Sequence, residues 1–194
     1  MGVLGASHHA DVPAIIAPPG KAKAESLCCE LGDLVGHLLL GHDCVPLCVV
    51  RPALALQHLQ GLVRLWHFCP EMAIGLGVPR PPIQVVRIHN EPRVQTVAAP
   101  HRDVTDALSS LVHELPADLA GFILKARSPS CGTGSTPVFA AGTQVDTGDG
   151  AFAAALRSAF PDMPLIDEEA LAQAELRQAF VTGVLAYSRK SAPR

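Results

Sequence analysis

Aromatic residues are scarce in this chain. Phe, Trp and Tyr make up 4% of its 194 residues, with a single Trp and a single Tyr. That is too few to build a base-stacking platform for single-stranded nucleic acid. Positive charge is not in excess either: the formal net charge is -3, which gives no electrostatic support to binding a nucleic-acid polymer or an acidic membrane. No apolar run approaches the ~18 residues needed to span a bilayer. The first residues lack a basic patch ahead of an apolar core, and His8, His9 and Asp11 interrupt them, so no secretory signal is expected. Six cysteines in a non-secreted chain of this length point to free thiols, metal ligands or a redox site in a reducing cytoplasm, not to a disulfide scaffold.

Several familiar motifs are missing as well. A phosphatase-type loop would want an arginine six residues after Cys131, and that position is Pro137. No Gly-Lys-Ser/Thr follows the loop glycines, so there is no phosphate-binding P-loop. Cys44 and Cys48 share the Cys-x3-Cys spacing of some metal knuckles, but no second pair follows at zinc-finger spacing.

What is present is a core. Hydrophobic residues are 48% of the chain, enough for one sizeable domain with appended ends. Residues 1–37 read as an irregular extension broken by Pro18-Pro19-Gly20, residues 38–167 as the main domain, and residues 168–194 as a C-terminal helix with a basic tail. Leu54, Leu56, Leu59, Leu62 and Val63 approach a helical stripe, and Trp66-His67-Phe68 reads as a strand that delivers Cys69 at its end. Ile83 to Ile88 is a β-branched run and predicts a strand, while 90–100 reads as a connector. A helix is expected over 105–115 with Asp103 as its cap, a buried strand at 121–124, an Ala-rich helix over 151–160, a short strand at 164–166 and one last helix from 167 to about 187. Alternating strands and helices predict an α/β fold. Its expected form is a mostly parallel sheet with helices on both faces, a Rossmann-like three-layer sandwich.

The stretch that carries chemistry is Lys125-Ala-Arg-Ser-Pro-Ser-Cys-Gly-Thr-Gly134. It follows the buried strand and presents Cys131 among small residues, with hydroxyls from Ser128, Ser130 and Thr133. Cys69, with Glu71 two residues on, also follows a strand. In a parallel sheet such strand ends converge on one edge. Arg80, in the proline-rich turn Gly75 to Pro82, is a candidate anion clamp. Two thiols, a carboxylate and several hydroxyls suit either a nucleophilic cysteine or a thiolate-held iron–sulfur centre.

Cys69-Pro70-Glu71, Gly75-Leu-Gly-Val-Pro-Arg-Pro-Pro82, Asp103-Val-Thr105, Leu124 to Gly132 and Gly148-Asp-Gly150 follow one another as in a single known family. Over roughly residues 38–168 the chain resembles domain-of-unknown-function family 523, which includes the 2-thiouracil desulfidases. The segment 168–187 resembles the one that joins this domain to a second module in longer relatives. The resemblance implies a cytoplasmic α/β domain with a [4Fe-4S] cluster on three cysteines. It also implies a small thiolated molecule such as 2-thiouracil as substrate, with sulfur released as sulfide. Carried over residue by residue, Cys69 and Cys131 are implied as cluster ligands, Glu71, Ser128 and Ser130 as the catalytic groups, and Arg80, Asp103 and Lys125 as substrate contacts. The first ligand departs from the family pattern. The best register puts Leu38 where the family has a cysteine, which leaves Cys44, Cys29 or no residue as the third ligand. The rival is a cluster-free structural or regulatory domain of the same fold.

Overall fold

A computed structural model describes residues 45–49 and 63–191. The strands divide between two four-stranded sheets. The first has the order β2-β1-β5-β8 and is wholly parallel, built from Val45–Val49 (β1), Val63–His67 (β2), Phe122–Leu124 (β5) and Leu165–Asp167 (β8). The second has the order β4-β3-β6-β7 and is mixed: Ile83–Ile88 (β3), Glu91–Thr96 (β4), Thr136–Ala140 (β6) and Thr143–Gly148 (β7). Its two hairpins, β3/β4 and β6/β7, are antiparallel, and β3 joins β6 in parallel.

The mixed α/β class agrees with the sequence reading; the single Rossmann-like sheet does not. The expected connector at 90–100 is in fact strand β4. Its sequence, Glu-Pro-Arg-Val-Gln-Thr, is mostly polar, as an edge strand can be. The turn that makes the hairpin is His89-Asn90, both at positive φ, the geometry a two-residue hairpin needs and Asn tolerates. Ala141 and Gly142 turn β6 into β7 in the same way.

The alternation of side chains along β5 explains how the layers are joined. Phe122 and Leu124 enter one apolar cluster and Ile123 the other. On the first side lie helix α2 (Thr105–Ser110) with the 3-10 turn Leu111–Glu114, and helix α3 (Ala151–Ala159). They bring Leu108, Leu111, Phe152 and Leu156 against β5. The same cluster takes in the second sheet through Val94, Val85 and Val138, which lie side by side in register and are all buried. On the other side, α4 (Glu168–Ala172) and α5 (Ala174–Ser191) pack Leu171, Phe180 and Val184 on Ile123 and Ile166.

The expected single last helix is therefore two. Gln173 is extended at the end of α4, and Arg177 Nη1 donates to the carbonyls of Leu171 (3.0 Å) and Ala172 (3.2 Å), capping that end. No helix among the described residues is long and apolar enough to cross a membrane. The expected helical stripe at 54–65 lies outside the described residues, save for Val63 to Leu65, which belong to β2.

Candidate functional site at the parallel sheet edge

Strands β2 and β5 are parallel, so their C-terminal ends point the same way. After β2, Cys69 leads into α1 (Pro70–Ala73), where Pro70 occupies the first turn and its missing N–H costs no helical bond. After β5, the chain turns through Lys125 to Cys131. The bend is fixed by Arg127 at positive φ, whose N–H donates to Ser135 Oγ at 3.0 Å.

The loop is shaped by the helix behind it. The first turn of α3 has N–H groups with no partner inside the helix. Ala151 N donates to the Pro129 carbonyl (3.1 Å), and Phe152 N and Ala153 N to that of Ser130 (2.9 and 3.2 Å). This seat leaves no room for side chains. A Cβ on Gly150 would lie 2.5 Å from the Ser130 carbonyl carbon and 2.7 Å from Cys131 N, and one on Gly132 would lie 2.1 Å from Thr136 Oγ1. Thr136 Oγ1 itself donates to the Ser128 carbonyl at 2.9 Å. The motif Gly148-Asp149-Gly150 is thus part of the Cys131 loop's support.

On this seat the polar groups form one chain. Ser130 Oγ donates to Glu71 Oε1 at 2.7 Å. Ser128 Oγ lies 2.9 Å from Ser130 Oγ and accepts from the N–H groups of Ser130 and Cys131, both at 3.3 Å. A carboxylate only accepts, so the Ser130 proton is committed to Glu71 and the Ser128 hydroxyl donates to Ser130. Arg80 closes the other end: Nη1 donates to Glu71 Oε2 at 2.9 Å and to Cys69 Sγ at 3.2 Å. The bond to Cys69 sulfur raises the Arg80 guanidinium above its ordinary value despite partial burial. Cys131 Sγ lies 3.4 Å from Ser130 Oγ and is 1% exposed. Burial pushes its thiol up to about 12, the charges of Glu71 and Cys69 add to this, and the Ser130 hydroxyl works against it. Such a thiol stays protonated at neutral pH unless a metal displaces the proton, and makes a poor free nucleophile.

Five of the residues singled out from sequence, Cys69, Glu71, Ser128, Ser130 and Cys131, therefore meet here, with Arg80 as their clamp. Two others are engaged elsewhere. Asp103 pairs with Arg93 at 2.7 Å beside the second sheet and accepts from Thr105 N at 2.8 Å; the residue at the cap position of α2 is Val104. Lys125 is ion-paired with Glu168.

The donor set is tested against an iron–sulfur cluster by its count. Two thiols stand at this edge, and among the described residues no group of three or more His, Cys, Asp or Glu side chains converges as a metal site. Cys44, Cys29 and Leu38 lie outside the described residues. The described residues thus fit part of a thiolate ligand set and do not complete it. Strand β1 starts at Val45, which pairs with Val63, six residues before Cys69, so the chain enters this sheet at the edge opposite the site.

The sequence model of the family described as 2-thiouracil desulfurase matches residues 50–168. No curated relative matches the chain. Among solved structures, the [4Fe-4S]-dependent thiouracil desulfidase TudS is similar at 28% identity and a TM-score of 0.48, covering 71% of this chain and 98% of that one. The family match takes in more than half of the sequence and all six residues of the edge site, and the chain belongs to the 2-thiouracil desulfurase family.

Proposed function

We propose that the Cys69–Cys131 edge is a desulfidase site that replaces the sulfur of a small thiolated molecule, such as 2-thiouracil, by oxygen from water. The observation that carries this reading is the unbroken relay from Ser128 through Ser130 to Glu71, in contact with Cys131 at Ser130 and joined to Cys69 through Arg80. Cys69 and Cys131 would be two thiolate ligands of a [4Fe-4S] cluster, which would supply a Lewis acid for the substrate sulfur. The third thiolate is assigned to a cysteine before β1. Cys44 is nearest in sequence, and Cys29 has more chain with which to reach the site from the opposite sheet edge.

The chain's own groups then divide the proton work. Net, a thiocarbonyl and one water become a carbonyl and hydrogen sulfide, with no change of oxidation state. Glu71 takes a proton from the attacking water. Once Glu71 holds that proton the two hydroxyl hydrogen bonds reverse, and Ser130 and Ser128 pass it toward the leaving sulfur. Arg80, with one nitrogen on both Glu71 and Cys69, keeps the carboxylate aimed. Cytoplasmic placement, in a reducing environment, belongs to the same reading.

The rival is a cluster-free domain of the same fold, favoured by the lack, among the described residues, of a group of three or more His, Cys, Asp or Glu side chains that could hold a metal. Anaerobic purification with iron and acid-labile sulfide counted per chain, followed by 2-thiouracil turnover, separates the two. Bound iron with uracil and sulfide as products supports the enzyme. Colourless protein that takes up no iron on reconstitution rules it out.

A further inference from the structure

One buried charge is left without a role by the site as described. Glu168 opens α4 directly after β8 and is 6% exposed. Its Oε2 accepts the Ala126 N–H at 2.6 Å, and its Oε1 pairs with the Lys125 ammonium, which also reaches the Ala126 carbonyl at 3.3 Å. Ala126 is the second residue past β5, where the chain leaves the sheet for Ser128, Ser130 and Cys131.

The neighbours of Glu168 hold the same loop. Glu169 takes both terminal nitrogens of Arg127, with Nη1 at 2.8 Å. Asp167 Oδ2 lies 3.5 Å from Thr133 Oγ1 on the returning limb, while its Oδ1 caps α4 through Glu169 N and Ala170 N. Three consecutive acids thus grip the loop on both limbs. Only Glu168 is buried, and a buried carboxylate is tolerated only when its lone pairs are satisfied. Its two partners are the last residue before the loop and the loop's first fixed amide.

We infer that Glu168 is a positioning residue: by fixing the Ala126 amide and Lys125, it sets the direction in which the loop leaves β5 and so the placing of Ser128, Ser130 and Cys131. Lys125, expected from the family resemblance to contact substrate, belongs to this strap. The inference rests on the desulfidase reading for what the loop does, but the strap itself can be tested without turnover.

The test uses Glu168→Gln and Glu168→Ala, with Glu169→Gln as the exposed control. Amide hydrogen exchange is followed in the metal-free protein at Ala126, Ser130 and Cys131, with Val85 and Val94 of the second sheet as reference. Exchange at the three loop amides is expected to rise about tenfold or more in the Glu168 variants, with the reference amides and Glu169→Gln unchanged. In desulfidation, kcat falls on the order of tenfold to a hundredfold while KM stays within about twofold, because reacting groups are misplaced and the binding surface is kept. Unchanged loop exchange in a folded Glu168 variant overturns the inference. So does a rise shared equally by Val85 and Val94, which would mark a global loss of stability. Wild-type protein without desulfidation would sink the functional reading alone, and the exchange result would still decide the strap. Should Glu168→Ala fail to fold, Glu168→Gln, which keeps the side-chain length, carries the test.

Discussion

The Glu71 carboxylate accepts a 2.7 Å hydrogen bond from the Ser130 hydroxyl, across 59 residues of sequence. It joins helix α1, which follows β2, to the loop after β5, and through Arg80 on one side and Ser130 on the other it links Cys69 to Cys131.

Glu71→Gln keeps the shape and can still accept from Ser130, but it cannot take a proton from water. Iron content should stay at the wild-type level. The rate of uracil formation should drop by roughly 10²–10⁴, the usual contribution of a general base. A variant with full iron and full rate would remove Glu71 from the mechanism.

Counting iron settles the ligand set. Anaerobically prepared protein should carry about four iron per chain. Cys69→Ser and Cys131→Ser should each lose the cluster. Of Cys44→Ser and Cys29→Ser, one should lose it and the other keep it. Four iron retained in both single variants would mean that the third thiolate comes from elsewhere.

Cys131 should alkylate more slowly than Cys69 in metal-free folded protein, since it is 1% exposed and pushed up to about 12. Peptide mapping after iodoacetamide treatment should find Cys69, which is half-buried, labelled at least about tenfold faster. Rapid labelling of Cys131 would revive the reading of it as a free nucleophile.

Gly150→Ala should destabilise the fold by about 1–3 kcal/mol, because the added carbon meets backbone atoms of Ser130 and Cys131 that cannot swing away. Gly148→Ala, whose added carbon would sit 3.8 Å from Val138 Cγ2, is the control and should change little. Denaturant midpoints compare the two. Equal midpoints would mean that the loop is not seated on α3 as described.

Glu168 also fixes a pH dependence. Burial by itself would raise its carboxyl, but the Lys125 ammonium and the Ala126 N–H outweigh that and hold it below its ordinary 4.5. A carboxyl depressed in the folded state contributes stability above its unfolded pKa and loses it as the pH falls through the folded value. The stability gap between wild type and Glu168→Gln should therefore be full at about pH 7 and shrink by about pH 3. A gap of the same size at both would show that Glu168 acts by shape alone.

The parts legible in the sequence were those that local chemistry decides. The run Ile83 to Ile88 forms strand β3 with those bounds, Phe122 to Leu124 forms β5, and the Ala-rich stretch forms α3, because burial and side-chain shape fix them over a few residues. Cys69-Pro70-Glu71 and Ser128-Pro129-Ser130-Cys131 could be singled out because each places reactive groups just past an apolar run. Tertiary structure alone decided the rest. Polar β4 and β7 become strands only by pairing with β3 and β6, a long-range gain that no local pattern reports. Glu168 looked like an ordinary acid at a helix start, and its burial depends on β8 lying beside β5. Lys125 and Asp103 were drawn to Glu168 and Arg93, partners 43 and 10 residues away, because a charge takes the nearest opposite charge that the fold brings within reach.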